Sequence, residues 1–120
     1  MTFSRGSLFY AAQGFAGAGF GNHYLSSIPV EGAFSVPVYG MAITSYSKWN
    51  AKLTAFDGNG RILGVSNLWH PAPGTQGPWH RGTLRVCTSE PIARFTIIEE
   101  SGNASLILNL DRLELTTSAP

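Results

Sequence analysis

The sequence predicts a single all-β domain of 120 residues. Three observations lead to this prediction. Bulky and small side chains alternate with the two-residue period of strands, clusters of Gly, Pro, Asn and Asp separate the alternating segments, and no segment shows the 3.6-residue period of a helix. The length suits one hydrophobic core and is too short for a second. Short strands joined by turns, without helices, are typical of a β-sandwich or a β-barrel.

The clearest local feature is a hairpin in the middle of the chain. Residues 50–56 alternate apolar and polar side chains, as a half-buried strand does. The cluster Asp57-Gly58-Asn59-Gly60 follows, and these residue types accept the positive φ angles of a tight turn. Residues 61–65 then provide the returning strand.

Other segments show the same pattern less strongly. Further strands are predicted at residues 36–44, 82–86, 91–98 and 104–115, with turns at 89–91 and 99–103. Residues 66–79 contain three prolines and two glycines, which exclude a helix and a central strand. The Gly-rich residues 1–21 fit either a loop or a flat strand, and residues 116–120 are expected to form a frayed tail.

Composition excludes several classes of function. Only 12% of the residues are charged and the net charge is +1, with no basic stripe, so nucleic acid is not an expected partner. Cys87 is the single cysteine, which excludes an intramolecular disulfide and a cysteine-based zinc cluster. No signal peptide is recognisable in the chain, and no apolar stretch reaches the roughly 20 residues of a membrane span.

Three segments follow one another in a recognisable order, namely the hairpin at 53–64, the strand at 91–97 and the closing strand at 110–115. Through these segments, residues 36–115 resemble the galactose-binding-like domains of bacterial surface or secreted proteins that carry a C-terminal sorting signal. The resemblance implies a jelly-roll β-sandwich of about eight short antiparallel strands. It also implies a secreted or cell-surface location. Members of the family include lectin-like carbohydrate-binding modules.

The resemblance also bears on metal binding. Members of that family often hold a structural calcium ion near the chain ends, which implies Asp111 and Glu31 as contributing carboxylates. Arg112 stands where the family usually has a second acidic residue, and this departure weakens the metal site. No other cofactor is expected.

The residues best suited to binding lie in and after the Pro-rich loop. Trp69-His70 and Trp79-His80 are two Trp-His pairs, and Arg81 follows the second. A sugar presents an apolar face rimmed by hydroxyl groups, so its site needs an aromatic plate beside polar donors. The loop supplies both, although a tryptophan next to Pro and Gly also serves as a core plug or a loop anchor.

A second aromatic patch lies between two predicted strands. Tyr46 and Trp49 are its aromatic members, with Lys48 between them. Inter-strand loops gather at the two ends of a sandwich, so this patch meets the Trp-His loop if both lie at the same end. The ten-residue spacing of His70 and His80 matches no recognised metal-ligand pattern.

Catalysis has little support in the sequence, and we expect no enzyme activity. There is no nucleophile elbow or phosphate-binding loop, and Glu99 and Glu100 are adjacent in a predicted turn. The favoured hypothesis is a non-catalytic carbohydrate-binding module. The alternative is a structural or adhesive building block that forms homo-oligomers through its β-sheets, because exposed apolar patches mark interfaces.

Overall fold

The structure is a computed structural model, and every regular element that it describes is a β-strand, which confirms the all-β prediction. It describes residues 2–5, 8–10, 23–25, 30–74, 78–100 and 109–120, with side chains over 31–74, 78–100, 110 and 113–120. The strands are β1 (Thr2–Arg5), β2 (Leu8–Tyr10), β3 (His23–Leu25), β4 (Val30–Ser47), β5 (Ala51–Phe56), β6 (Ile62–Leu68), β7 (His80–Glu99) and β8 (Asn109–Thr116). No helix able to cross a membrane occurs in these residues.

Six of the strands form one antiparallel sheet. Its order is β1-β4-β7-β5-β6, and β8 pairs with the same strand β4 that pairs with β1. The strands β2 and β3 form a separate two-stranded ladder. The jelly-roll topology and the total number of strands remain predictions.

Two long strands, β4 and β7, organise the sheet. They pair along most of their length, and the register shifts between Ala33 and Val38 and again between Val38 and Gly40. These shifts divide the pairing into a first ladder (residues 30–33 with 94–97) and a second ladder (residues 40–47 with 80–87). β1 and β5 flank the first ladder, whereas β8 flanks the second.

Both ladders contribute to one hydrophobic core. Leu53 and Phe95 come from the part of the sheet around the first ladder, and Ile43 and Leu84 come from the second; all four are at most 2% exposed. They belong to a single cluster of buried side chains, together with Leu110 of β8. Because strand side chains alternate in direction, the intervening residues lie on the opposite face of the sheet.

The predicted hairpin is confirmed. β5 and β6 pair antiparallel across a turn in which Gly60 has φ 85°. The Oδ1 atom of Asp57 accepts hydrogen bonds from the backbone N–H groups of Asn59 and Arg61, each at 2.9 Å. These bonds hold the pKa of Asp57 below its ordinary value. The carboxylate therefore organises the turn that the sequence pattern indicated.

Two sequence predictions about strand limits were wrong. Residues 89–91 were expected to form a turn but lie inside β7, at the register shift opposite Val38. Proline has no backbone N–H to donate to a ladder, and it is tolerated at a bulge because no ladder hydrogen bond is made there. The hydroxyl of Thr88 also lies 2.7 Å from the carbonyl oxygen of Glu90. Residues 66–68, expected in the loop, instead complete β6.

Candidate ligand-binding site

The loop between β6 and β7 is bound to the connection between β4 and β5. The backbone N–H of His70 donates to Oδ1 of Asn50 at 2.7 Å, and the N–H of Gly74 donates to the carbonyl of Lys48 at 2.9 Å. The two predicted aromatic patches therefore lie at the same end of the sheet. We call this region the tryptophan end; it comprises Tyr46, Lys48, Trp49, Trp69, His70, Trp79, His80 and Arg81.

His70 holds the loop together from within. It is only 6% exposed. Its Nδ1 lies 2.8 Å from the backbone N of Ala72, which must donate, so Nδ1 accepts and the ring proton is on Nε2. Nε2 then donates to the carbonyl of Pro78 at 2.7 Å. Both ring nitrogens thus have protein partners, and the imidazole joins the two described sides of the loop.

The two tryptophans of the same loop face solvent. Trp69 is 65% exposed and Trp79 is 45% exposed. The ammonium nitrogen of Lys48 lies 5.4 Å from the centroid of the Trp79 ring, within the range of a cation–π contact. The loop therefore presents its indole rings outward, with the Lys48 cation of the β4–β5 connection beside one of them, while its histidine is buried.

The remaining predicted residues lie close by through strand pairing. Ser47 pairs with His80 and Tyr46 pairs with Arg81 across β4 and β7. The guanidinium carbon of Arg81 is 5.7 Å from the Tyr46 ring centroid, and the His80 ring is 5.3 Å from the His70 ring.

Trp49 is partly buried, and its backbone N–H donates to Ser47 Oγ at 2.9 Å. All seven predicted ligand-binding residues thus lie in one region.

The structure does not bring the two predicted calcium ligands together. Glu31 is near the start of β4, whereas Asp111 pairs with Thr44 close to the end of that strand. The Asp111 side chain lies outside the described residues. Within the described part of the chain, no group of three His, Cys, Asp or Glu residues is arranged to hold a metal ion.

Sequence reasoning missed a pocket on the outward face of the second ladder. We call it the sheet-face pocket; it has a volume of about 240 Å³. Its lining residues are Ala42, Thr44, Arg81, Thr83, Arg85 and Glu114. The signal was present in the alternation Arg81, Thr83, Arg85, which places three polar side chains on one face of a strand.

Glu99 was also misplaced by the sequence pattern. It was expected in a turn with Glu100, but it is the last residue of β7 and is only 6% exposed. Its Oε2 accepts a hydrogen bond from Ser47 Oγ at 2.5 Å. Burial raises the pKa of this carboxyl above its ordinary value. The hydrophobic periodicity of the sequence does not indicate that the acidic residue Glu99 is buried.

Comparison with known proteins gives a likeness in fold. No family model matches the chain, and no curated protein matches it. One solved structure that matches is a glycoside hydrolase family 43 arabinoxylan arabinofuranohydrolase from Bacillus subtilis, determined in complex with cellotetraose. The match has 16% sequence identity and a TM-score of 0.50, and covers 86% of this chain. It spans only 23% of the hydrolase chain, so the likeness concerns a part of that protein.

Proposed function

We propose that the chain is a non-catalytic carbohydrate-binding module whose ligand lies on the tryptophan end. One observation carries the proposal: Trp69 and Trp79 are exposed on a loop whose His70 is buried and hydrogen-bonded at both ring nitrogens. A ring that packs against the C–H face of a sugar must be exposed before binding and already held in position. This loop has both properties.

Polar groups beside the indoles complete the site. Lys48 stands over the Trp79 ring, and Arg81 stands over the Tyr46 ring. Ammonium and guanidinium groups donate hydrogen bonds to sugar hydroxyl oxygens, and they fix the orientation that stacking alone leaves open. In this proposal His70 positions the loop, whereas Trp69, Trp79, Lys48 and Arg81 contact the sugar.

The absence of catalysis is part of the proposal. A glycosidase needs two carboxyl groups on either side of the scissile bond. Glu99 faces Ser47 in the interior, and Glu100 belongs to the turn that follows β7. No carboxylate pair lies among the described residues of the tryptophan end, which fits binding without hydrolysis.

We further assign the finer fold as a jelly-roll β-sandwich. The long strands β4 and β7 pass from the first ladder to the second around one core, which suits two packed layers.

A secreted or cell-surface protein would meet polysaccharides directly. The hydrolase that matches in fold was crystallised with cellotetraose, which makes this oligosaccharide a reasonable first probe.

Titration calorimetry against cellotetraose and a panel of other oligosaccharides tests the proposal. We expect Trp69→Ala and Trp79→Ala each to lower affinity about tenfold or more, since stacked aromatic rings act as anchors of binding. Ile62→Ala is the matched control, because Ile62 is 58% exposed at the opposite end of β6 from Trp69. It should bind as the unmodified protein does.

Two results would count against the module. One is the absence of binding to any oligosaccharide by a folded protein, and the other is unchanged affinity in both tryptophan variants. The competing function is self-association through exposed apolar residues; Val36, Val65 and Leu115 are such residues, each at least 40% exposed. Sedimentation velocity over a range of concentrations distinguishes this outcome, because self-association increases the sedimentation coefficient.

A further inference from the structure

The sheet-face pocket has a floor of small side chains between long charged ones. Ala42 and Thr44 of β4 are at most 6% exposed and lie beneath it. Arg81 pairs with Tyr46, whereas Arg85 pairs with Ala42, so the two arginines stand at opposite ends of the floor. Four residues of strand separate their Cα atoms by about 13 Å. That length suits a segment of an oligosaccharide.

The donors and acceptors of the pocket are complementary to a sugar that carries an acid group. Arg81 and Arg85 offer forked N–H donors, which bind a carboxylate through two parallel hydrogen bonds. Glu114, opposite Ala42 on β8, offers carboxylate oxygens that accept hydrogen bonds from sugar hydroxyls. Within the described side chains, the guanidinium of Arg85 makes no ion pair, so it is available to an anionic ligand.

Charge decides between a neutral and an acidic ligand. Among the described side chains, two arginines and one glutamate line the pocket, and together they give a net positive charge. The pocket is also concave and partly enclosed by the sheet, which strengthens attraction for an anion compared with a flat surface. A neutral sugar gains nothing from this charge.

We infer that the sheet-face pocket binds the carboxylate of a uronic-acid residue, so that the module prefers acidic polysaccharides. This inference rests on the proposed function and names its ligand class. Arg81 belongs to both surfaces, since it lines the pocket and also stands over Tyr46 at the tryptophan end. A single oligosaccharide chain therefore stacks on the tryptophans and places an acid group beside Arg85.

The test compares tetragalacturonate with cellotetraose, an acidic and a neutral tetrasaccharide, by titration calorimetry. We expect the acidic sugar to bind more tightly at low salt, and its advantage to shrink in about 0.5 M NaCl, where charges are screened over a few ångströms. Arg85→Gln should lower affinity for tetragalacturonate about tenfold, the loss of one charge-assisted contact, and leave cellotetraose binding nearly unchanged.

Two further variants check the electrostatic argument. Glu114→Gln removes the negative charge of the pocket and should raise affinity for tetragalacturonate severalfold. Arg94→Gln is the control for net charge: Arg94 also lies on β7, but it packs over the Phe56 ring at 4.1 Å in the first ladder. It should bind both sugars as the unmodified protein does. Melting temperatures measured for each variant confirm that it is folded.

The outcomes separate this inference from the proposed function. If both sugars bind equally and Arg85→Gln changes neither, the acidic preference is wrong while the carbohydrate-binding function stands. If Arg85→Gln weakens tetragalacturonate binding while neither Trp69→Ala nor Trp79→Ala weakens binding of either sugar, the pocket is confirmed and the tryptophan site is wrong. If neither sugar binds to the folded protein, the acidic preference is wrong; if no other oligosaccharide of the panel binds either, the proposed function is overturned as well.

Discussion

Ser47 of β4 donates its hydroxyl hydrogen to Oε2 of Glu99 of β7, and the two oxygens are 2.5 Å apart in the interior of the sheet. The same Ser47 oxygen accepts a hydrogen bond from the backbone of Trp49. Within the described residues, Oε1 of Glu99 and Oγ of Ser45 are buried without a hydrogen-bond partner. A buried carboxylate with one unsatisfied oxygen is costly, so burial shifts the equilibrium towards the neutral form.

This arrangement predicts that stability depends on pH through Glu99. Burial raises its pKa above the ordinary value of 4.5, so the folded chain keeps this proton at pH values where the unfolded chain has lost it. The contribution of Glu99 to stability is therefore fully present below pH 4.5 and is lost as the pH rises through the folded-state pKa. Glu99→Gln should raise the free energy of unfolding at pH 7 by on the order of 1 kcal/mol.

Urea titrations at pH 4 and pH 7 measure this difference, with Glu100→Gln as the matched control. Glu100 is exposed, and the change removes the same formal charge one residue further along the chain. The control should leave the pH dependence unaltered. Equal pH dependence in Glu99→Gln and the unmodified protein would show that Glu99 is ionised in the folded state at little cost.

Sequence reasoning identified the residue types of the tryptophan end but not the role of each. Two Trp-His pairs look equivalent in the sequence, yet Trp69 is exposed and His70 is buried. The difference comes from the hydrogen bonds of His70 with Asn50 and Pro78. Asn50 is distant in the sequence, and Pro78 is on the other side of a loop whose path cannot be predicted from local patterns. Burial of a polar residue depends on such partners, and hydrophobic periodicity does not report them.

The second prediction concerns the loop that carries the tryptophans. His70→Ala removes the part-buried hydrogen bonds that the ring makes to the carbonyl of Pro78 and the backbone N–H of Ala72. We expect a loss of about 1–3 kcal/mol in stability and faster hydrogen exchange at the Ala72 amide. Sugar affinity should fall as well, because the indoles are no longer held in place.

His80→Ala is the comparison, since the described structure gives its ring a contact with His70 but no hydrogen bond. It should leave exchange at the Ala72 amide close to that of the unmodified protein. Equal exchange in both variants would mean that the His70 ring does not hold the loop.

The third prediction tests the hairpin turn. Gly60 has φ 85°, a conformation that costs a residue with a side chain about 1–2 kcal/mol. Gly60→Ala should therefore destabilise the protein by that amount. Gly58→Ala is the matched control in the same turn, because it has no positive φ and a Cβ there would meet no atom within 4 Å. Thermal unfolding of the two variants measures the contrast, and equal melting temperatures would contradict it.

Local patterns predicted the strands better than they predicted their limits. The hairpin at 51–68 follows from alternation and a four-residue turn, both of which are local. Residues 89–91 contain Pro91 and read as a turn, but the partner strand β4 continues past them and carries the pairing onward. Long-range pairing therefore joined two predicted strands into the single strand β7, which local propensity could not reveal.

The last prediction tests whether the two ladders share one core. Leu53 is fully buried on β5 and belongs to the same cluster as Leu84 of the second ladder. Leu53→Ala should cost about 2–5 kcal/mol, because it removes buried methyl groups and leaves a cavity. Val65→Ala on the paired strand β6 should cost less than about 1 kcal/mol, since Val65 is 44% exposed. If the ladders unfold together, Leu53→Ala will lower the protection of amide hydrogens in both by the same free energy. Loss of protection confined to β5 and its neighbours would instead show that the first ladder has a core of its own.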